Sequence, residues 1–483
     1  MSDPAGKVHS MIESPKSGYK GLDAFHKYWG KKPTDMWQSV IEELSKPGDT
    51  VMDPFLGSGL VARECIDLGR NFIGIDVNPI SIELTKLYSN PPKADAVAKA
   101  FKEIGKEIEP LVHELYMLKN GNLISHVLWG GESVEGVWVK NGGRREAIEL
   151  TKKEISDLKS KREFKSKHMR DPRFFENARI NSKATMDIHD LFSDRALRII
   201  DFLLEKASKE KNEDVQRAIK LTISAAMGQM SNMVFAVTNK GKVSGKKGSD
   251  TQIGSWVIGY WRPGQHFEIN AWNCFSNKAA KLVKGLKEAE EIIRKHESKL
   301  GKFSLYLSDA EIQLKKLKPG TVQLVVTDPP HGDRIPYLEL SEMWNSVLNM
   351  SSDYESELVV SNAKVRGKGN SEYTDKFKSI LKECGRVLKD EGFLAVIFNS
   401  ANSDHWQALT ELESKDGFKF LGRFDMNYSA GSVVQDNRAG GLKKDYVLVY
   451  VKKATPVVTK RFRAKLSKYQ GWSIELPEVV NES

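Results

Sequence analysis

At 483 residues the chain runs well beyond the about 250–300 at which one hydrophobic core stops growing, so more than one structural unit is expected. Hydrophobic residues at 40% and charged residues at 29%, with 17 prolines, exclude a disordered, collagenous or membrane-embedded chain. Seventy-four basic residues against 64 acidic leave a formal charge of +10, which agrees with a polyanionic partner without naming one. Cys65, Cys274 and Cys384 lie far apart and form no CxxC pair, so neither a disulfide framework nor a cysteine-rich zinc site is expected. The N-terminal stretch lacks the apolar core of a signal peptide, and no eighteen apolar residues run together. A cytoplasmic location with no membrane attachment is the expectation.

In chain order, Met36, Trp37, Val40, Ile41 and Leu44 predict a short helix before the stop signal Lys46, Pro47, Gly48. A strand over 50–53, a glycine turn over 54–59, a helix over 60–68 and a strand over 71–76 then read as one βαβ unit. From Asn90 to about Gly301 the texture changes to polar helices and loops, with twelve Lys or Arg against six Asp or Glu in residues 140–173. From Phe303 strands and helices alternate again: strands over 304–307, 321–327 and 393–398, helices over 340–348 and 375–388, and a closing strand over 446–451. The fold expected is α/β, a doubly wound Rossmann-like sheet interrupted by a mainly helical inserted domain. Residues 1–90 and 301–455 form the split catalytic domain, 91–300 the insert, and 456–483 a loosely attached tail.

Two motifs carry chemistry. In VMDPFLGSG a strand ends at Asp53, and Gly57 and Gly59 permit a tight turn where backbone approaches a ligand closely. Asp76 ends the next strand 19 residues after Gly57, a place from which a carboxylate can accept from ribose hydroxyls. Taken alone, these residues describe a closed βα turn and a helix cap sooner than a ligand site. Ala62 stands where a dinucleotide fingerprint has its third glycine, which points away from a pyrophosphate. S-adenosylmethionine has none, and its carboxylate can sit against helix N-terminal amides.

The second motif is TDPPHG, following the apolar strand that ends near Val326. Two prolines fix the backbone and supply no N–H, so Asp328 and the Pro329 carbonyl form a rigid pair of acceptors. Such a pair can hold both hydrogens of a nucleobase amino group and aim its lone pair at an electrophilic methyl carbon, with no metal and no covalent enzyme intermediate. Pro330 completes the turn, and His331 offers a ring on which an extruded base can stack. Read without the first motif, the same tetrapeptide is a turn after a buried strand.

Together the two motifs resemble the DNA amino-methyltransferases, whose cofactor motif reads DPF-x-GSG and whose catalytic motif reads Asp, Asn or Ser followed by Pro-Pro and an aromatic. The matching residues are Asp53, Pro54, Phe55, Gly57, Ser58 and Gly59, then Asp328, Pro329 and Pro330. HKYWGKKP is similar to a further cofactor-contacting motif, which makes Lys32 and Pro33 cofactor neighbours by resemblance. The resemblance also assigns Asp76 to the ribose and Asp309 to the neighbourhood of the adenine. His331 departs from the usual Tyr, Phe or Trp, so base stacking is weaker or shared with Tyr337. The motif order, cofactor first, also departs from the subgroup whose wording it matches.

Segments DIHDLFSDRALRIIDFLL, AAMGQMSN and EINAWNCFSNK resemble adenine-specific DNA methylases with a long insert. Where many of those carry a zinc ribbon this chain has HELYMLKNGNLISHVLW without cysteine, so no zinc is expected at His113 or His126. The resemblance implies S-adenosylmethionine as cofactor, methyl transfer to the N6 of adenine in double-stranded DNA, and a cognate restriction endonuclease as a partner to test for. N4-cytosine methylation, base-amino methylation of transfer-RNA guanine and an inactive nucleic-acid-binding protein are the alternatives. Within the insert, Lys159, Lys161, Arg162, Lys165 and Lys167, and the loop from Lys240 to Lys247, are candidates for phosphate contacts, as against a solvated helix face.

Overall fold

A computed structural model describes residues 19, 21–33, 36–141, 144–159, 164–238, 251–296, 301–332, 335–400, 402–426 and 445–477. Along the chain its strands are β1 (Thr50–Asp53), β2 (Asn71–Asp76), β3 (Ile124–Gly130), β4 (Ser133–Asn141), β5 (Arg144–Ile148), β6 (Ala236–Thr238) and β7 (Thr251–Ile253). They continue with β8 (Gln265–Ile269), β9 (Phe303–Leu307), β10 (Val322–Thr327), β11 (Leu388–Phe398), β12 (Phe418–Asp425), β13 (Tyr446–Lys452) and β14 (Trp472–Ser473). The chain divides into two compact units. One comprises Met1–Pro91, Glu288–Leu338 and Ser352–Ser483, the other Pro92–Lys287 with Glu339–Ser351.

The first unit is built on an eight-stranded sheet in the order β14-β12-β13-β11-β10-β1-β2-β9. From β11 to β9 all neighbours are parallel, while β13, β12 and β14 join antiparallel. The pleat sends successive residues to opposite faces. Val51, Leu324, Val326 and Val449 pack on one side with Val40, Ile41 and Cys65, and Met52, Val325, Val396 and Tyr450 on the other with Phe377, Leu381 and Leu409. Both faces are thus covered by helices, the condition under which a parallel sheet is stable. The doubly wound sheet expected from the sequence is the observed one. β2 and β9 pair directly from Phe72↔Phe303 to Asp76↔Leu307, so the sheet closes across the insertion.

One expectation needs correction. Residues 456–483 do not hang loosely where described: Pro456–Leu466 is a helix, β14 pairs with β12, and Leu466 and Tyr469 are buried in the core with Trp472 packed against it. The apolar spacing of Phe462, Leu466 and Tyr469 was masked by the lysines and arginines between them. The insert is mainly helical, as expected, and carries strands as well. It contains an antiparallel sheet in the order β5-β4-β3-β8 and a two-stranded ribbon of β6 and β7, beside the helices Ala94–Tyr116, Asp194–Lys209 and Glu213–Met230. The alternation in SVEGVWV and the glycine turn before it were the available strand signal.

Inside this second unit Glu268 is saturated by Ser193 Oγ at 2.6 Å, Arg195 Nε at 2.9 Å and Nη2 at 2.6 Å, and Trp129 Nε1 at 3.0 Å. Glu342 accepts from Arg170 at 2.6 Å, and Trp344 meets Trp256 edge-on at 5.9 Å. Trp256 is therefore a core residue. Strand β11 begins at Leu388 rather than Phe393 because Lys389–Gly392, which reads as a turn, continues the strand. Among the described residues no helix is long and apolar enough to cross a membrane.

Candidate active site

The chain runs from β1 to β2 and β9 on one side and returns to β10 and β11 on the other, so the sheet's switch point lies between β1 and β10. Ligands in open α/β sheets bind outside the carboxyl ends of strands at such a point. Asp53 and Thr327 end these two strands, and the Thr327 hydroxyl donates to Asp53 Oδ1 at 2.8 Å. The same oxygen accepts from the Phe55 amide at 3.0 Å, which opens the turn. Gly57 and Gly59 have φ of +52° and +77°, the left-handed region, and a Cβ on Gly59 would stand 2.4 Å from Thr85 Oγ1. Only glycine fits there.

Asp76 braces this turn from the next strand: its Oδ2 accepts from the Gly57 amide and its Oδ1 from the Asn78 amide, both at 2.8 Å. The burial of Asp53 raises its pKa to about 7, and burial raises that of Asp76 to about 6, against the hydrogen bonds that favour their charged forms. Neither has a cationic partner among the described residues.

Asp328 follows β10 and is held from two sides. Lys32 Nζ lies 3.1 Å from Oδ2, and His331 Nε2 lies 3.2 Å from Oδ1. Asp445, beside Lys32 at 3.8 Å, is a second carboxylate for the same ammonium. Burial works to raise the Asp328 pKa, but Lys32 and then His331 outweigh it and hold the carboxyl below its ordinary range. The Tyr373 hydroxyl donates to the Pro330 carbonyl, so the backbone of the turn is braced as well as the side chain.

These elements line one cleft. Of the residues anticipated from the sequence, Lys32, Asp53, Pro54, Phe55, Gly57, Ser58, Asp76, Asp328 and Pro330 line it. Pro33, Gly59, Asp309, Pro329 and His331 do not belong to the lining. Asp309 instead caps the helix Ala310–Lys316 through the Ile312 amide at 3.0 Å and pairs with Lys376 at 2.6 Å, while its neighbours Ser308 and Ala310 face the cleft. The His331 side chain is 7% exposed and its ring tilts against Phe398 at 5.4 Å.

Sequence reading missed Tyr28, Trp29, Glu357 and Lys376 as lining residues, and it connected Lys32 to the cofactor rather than to Asp328. Aromatics at Tyr28 and Trp29, inside the HKYWGKKP segment, were the signal on offer. Lys161, Arg162 and the loop from Lys240 to Lys247 lie outside the described residues. Among the described residues no group of His, Cys, Asp or Glu could hold a metal ion.

The site suits S-adenosylmethionine on the chemistry of its donors. Two carboxylates lacking a counter-cation among the described residues could hold a cationic ligand once charged, Asp76 keeps lone pairs for hydroxyls, and the apolar walls could take a purine. Fold and site together define an α/β protein with a cleft at the sheet's switch point and a braced Asp-Pro-Pro turn beside it. The sequence model of the N6/N4 DNA methylase family matches residues 4–87 and 322–482, about half of the chain. The chain belongs to that family, whose fold is Rossmann-like.

Among curated relatives, the type II methyltransferase M.HpaI of Haemophilus parainfluenzae is 32% identical over 102 residues, 20% of this chain and 31% of that one. M.HinfI of Haemophilus influenzae is 38% identical over 80 residues, 13% of this chain and 22% of that one. The chain therefore spans about a third or less of the length of these relatives. Among solved structures, a Thermus thermophilus protein described as a candidate DNA modification methylase is 18% identical, with a TM-score of 0.18, over 31% of this chain and 53% of that one.

Proposed function

We propose that this chain transfers a methyl group from S-adenosylmethionine to the exocyclic N6 of adenine in double-stranded DNA. The observation that carries this reading is the Asp328 turn, a carboxylate beside Lys32 and His331 that lines the same cleft as Asp53 and Asp76. Bound in that cleft, S-adenosylmethionine would supply an electrophilic methyl on a sulfonium. Asp53, Asp76 and the turn over 54–59 would hold it, with Asp76 facing the ribose and Ser308 and Ala310 near the base.

An exocyclic amino group is a poor nucleophile because its lone pair is delocalised into the ring. Asp328 and the Pro329 carbonyl would accept its two hydrogens and favour the pyramidal form, whose lone pair points along one direction. This is positioning and electrostatic stabilisation, with the acceptors built into the fold beforehand. The low pKa of Asp328 keeps it an acceptor at neutral pH. Asp rather than Ser before the two prolines favours adenine over cytosine by resemblance.

Incubation with labelled S-adenosylmethionine and separate DNA and RNA substrates, followed by nucleoside mass spectrometry, tests substrate and modified atom together. N6-methyladenine in DNA is expected. N4-methylcytosine would move the reading to the other amino group, and label in RNA alone would overturn it. Asp328→Ala is expected to lower transfer by at least about 100-fold while cofactor binding persists.

A further inference from the structure

The catalytic motif that this chain resembles ends in an aromatic ring, and here that position is His331. Its imidazole lies beside the carboxylate: Nε2 sits 3.2 Å from Asp328 Oδ1, the side chain is 7% exposed, and the ring packs against Phe398. It is absent from the lining of the cleft that Asp328 and Pro330 share. A ring so placed orients a carboxylate well and offers little face to a base.

Tyr337 has the complementary properties. It is half-buried, it lines the same cleft as Asp328, and its ring stacks on Tyr28 at 6.1 Å with 22° between planes. Tyr28 shares a hydrogen bond with Ser81 Oγ at 2.9 Å, so the lower ring of the stack is anchored. Tyr337 also opens the helix Tyr337–Leu348, whose start is fixed by Glu357 accepting from the Leu338 amide at 2.9 Å. Glu357 is itself buried and paired with Arg366 at 2.7 Å. A ring on such a support is a rigid stacking platform, and base stacking on aromatic rings tolerates any base.

We infer that His331 and Tyr337 divide between them the two tasks at this site: His331 is a positioning residue that holds Asp328, and Tyr337 supplies the face on which the extruded base stacks. This rests on the reading of Asp328 as the group that holds the target amino group. The test is steady-state methyl transfer from tritiated S-adenosylmethionine to unmethylated plasmid DNA, with cofactor affinity measured alongside by equilibrium dialysis.

His331→Phe, which keeps an aromatic ring and loses the nitrogen, is expected to lower kcat by about 10-fold or more with KM for DNA nearly unchanged. His331→Gln, which restores a donor, is expected to regain part of that loss. Tyr337→Leu is expected to raise KM for DNA by about 10-fold, and Tyr337→Phe to leave it near that of the unaltered chain. A His331→Phe chain as active as the original, or a Tyr337→Leu chain with the original KM, overturns the division while the methylase reading stands. No transfer to DNA by the unaltered chain overturns both.

Discussion

Asp53 and Asp328 follow adjacent strands, yet burial and charge move them in opposite directions. Asp328 has Lys32 and His331 against its two oxygens and stays ionised, whereas Asp53 has only hydrogen-bond donors and its pKa rises from 3.8 to about 7. For Asp53 the sign is fixed by linkage: below about pH 4 folded and unfolded chains are both protonated, and between about 4 and 7 the unfolded chain ionises first. Stability of the cofactor-free protein therefore falls across that window through this group and levels off above about pH 7. Asp53→Asn is expected to be more stable than the original at pH 8, by at most about 4 kcal/mol, with the difference vanishing near pH 4. Urea unfolding at several pH values reads this directly, and a constant difference across the range would refute it. The same carboxylates, once charged, attract a cationic ligand.

At the scale of elements, the turn over 54–59 and the C-terminal helix show how local chemistry serves the site. Gly59 enters the helix Leu60–Leu68 with a left-handed backbone against Thr85. Gly59→Ala is expected to cost about 2 kcal/mol or more, from φ strain and the Thr85 contact together. Adding Thr85→Ala is expected to recover only the contact, and denaturant unfolding of the single and double variants separates the two parts. The helix Pro456–Leu466 reads as a basic tail because Lys460, Arg461, Arg463 and Lys465 hide its apolar face. Its Leu466 is fully buried in the core, so Leu466→Ala is expected to destabilise by about 2–5 kcal/mol in thermal unfolding. A change within a few tenths of a kcal/mol would show that this helix is not part of the core.

For the molecule as a whole, the formal charge of +10 is the widest clue and the least specific. A base-modifying site needs a surface that holds phosphate backbone, and the proposed one is the insert. Lys159, Lys165 and Lys167 are its described candidates. Replacing all three by Gln is expected to weaken DNA binding and to reduce the slope of log affinity against log salt by up to about 3, readable by fluorescence anisotropy. An unchanged slope would place the phosphate contacts elsewhere.

Two kinds of information separate along these scales. The places of Asp53, Gly57, Gly59, Asp76 and Asp328 in the fold were legible in the sequence because they follow from local order: a strand end, a turn, a carboxylate at a fixed distance, a proline pair. The parallel sheet was legible for the same reason, since apolar runs alternate with helical periods. The insert's antiparallel sheet and the role of the C-terminal helix were not, because short half-exposed strands and a lysine-rich helix bury their apolar faces only against distant partners. Lys32 against Asp328 and the Tyr28–Tyr337 stack join residues 296 and 309 positions apart. The sequence by itself determined which strand ends carry acceptors and which turns need glycine, because those depend on neighbours in the chain. Only the tertiary structure decided which cation and which ring meet each acceptor, because those contacts form when β1 and β10 become neighbours at the switch point.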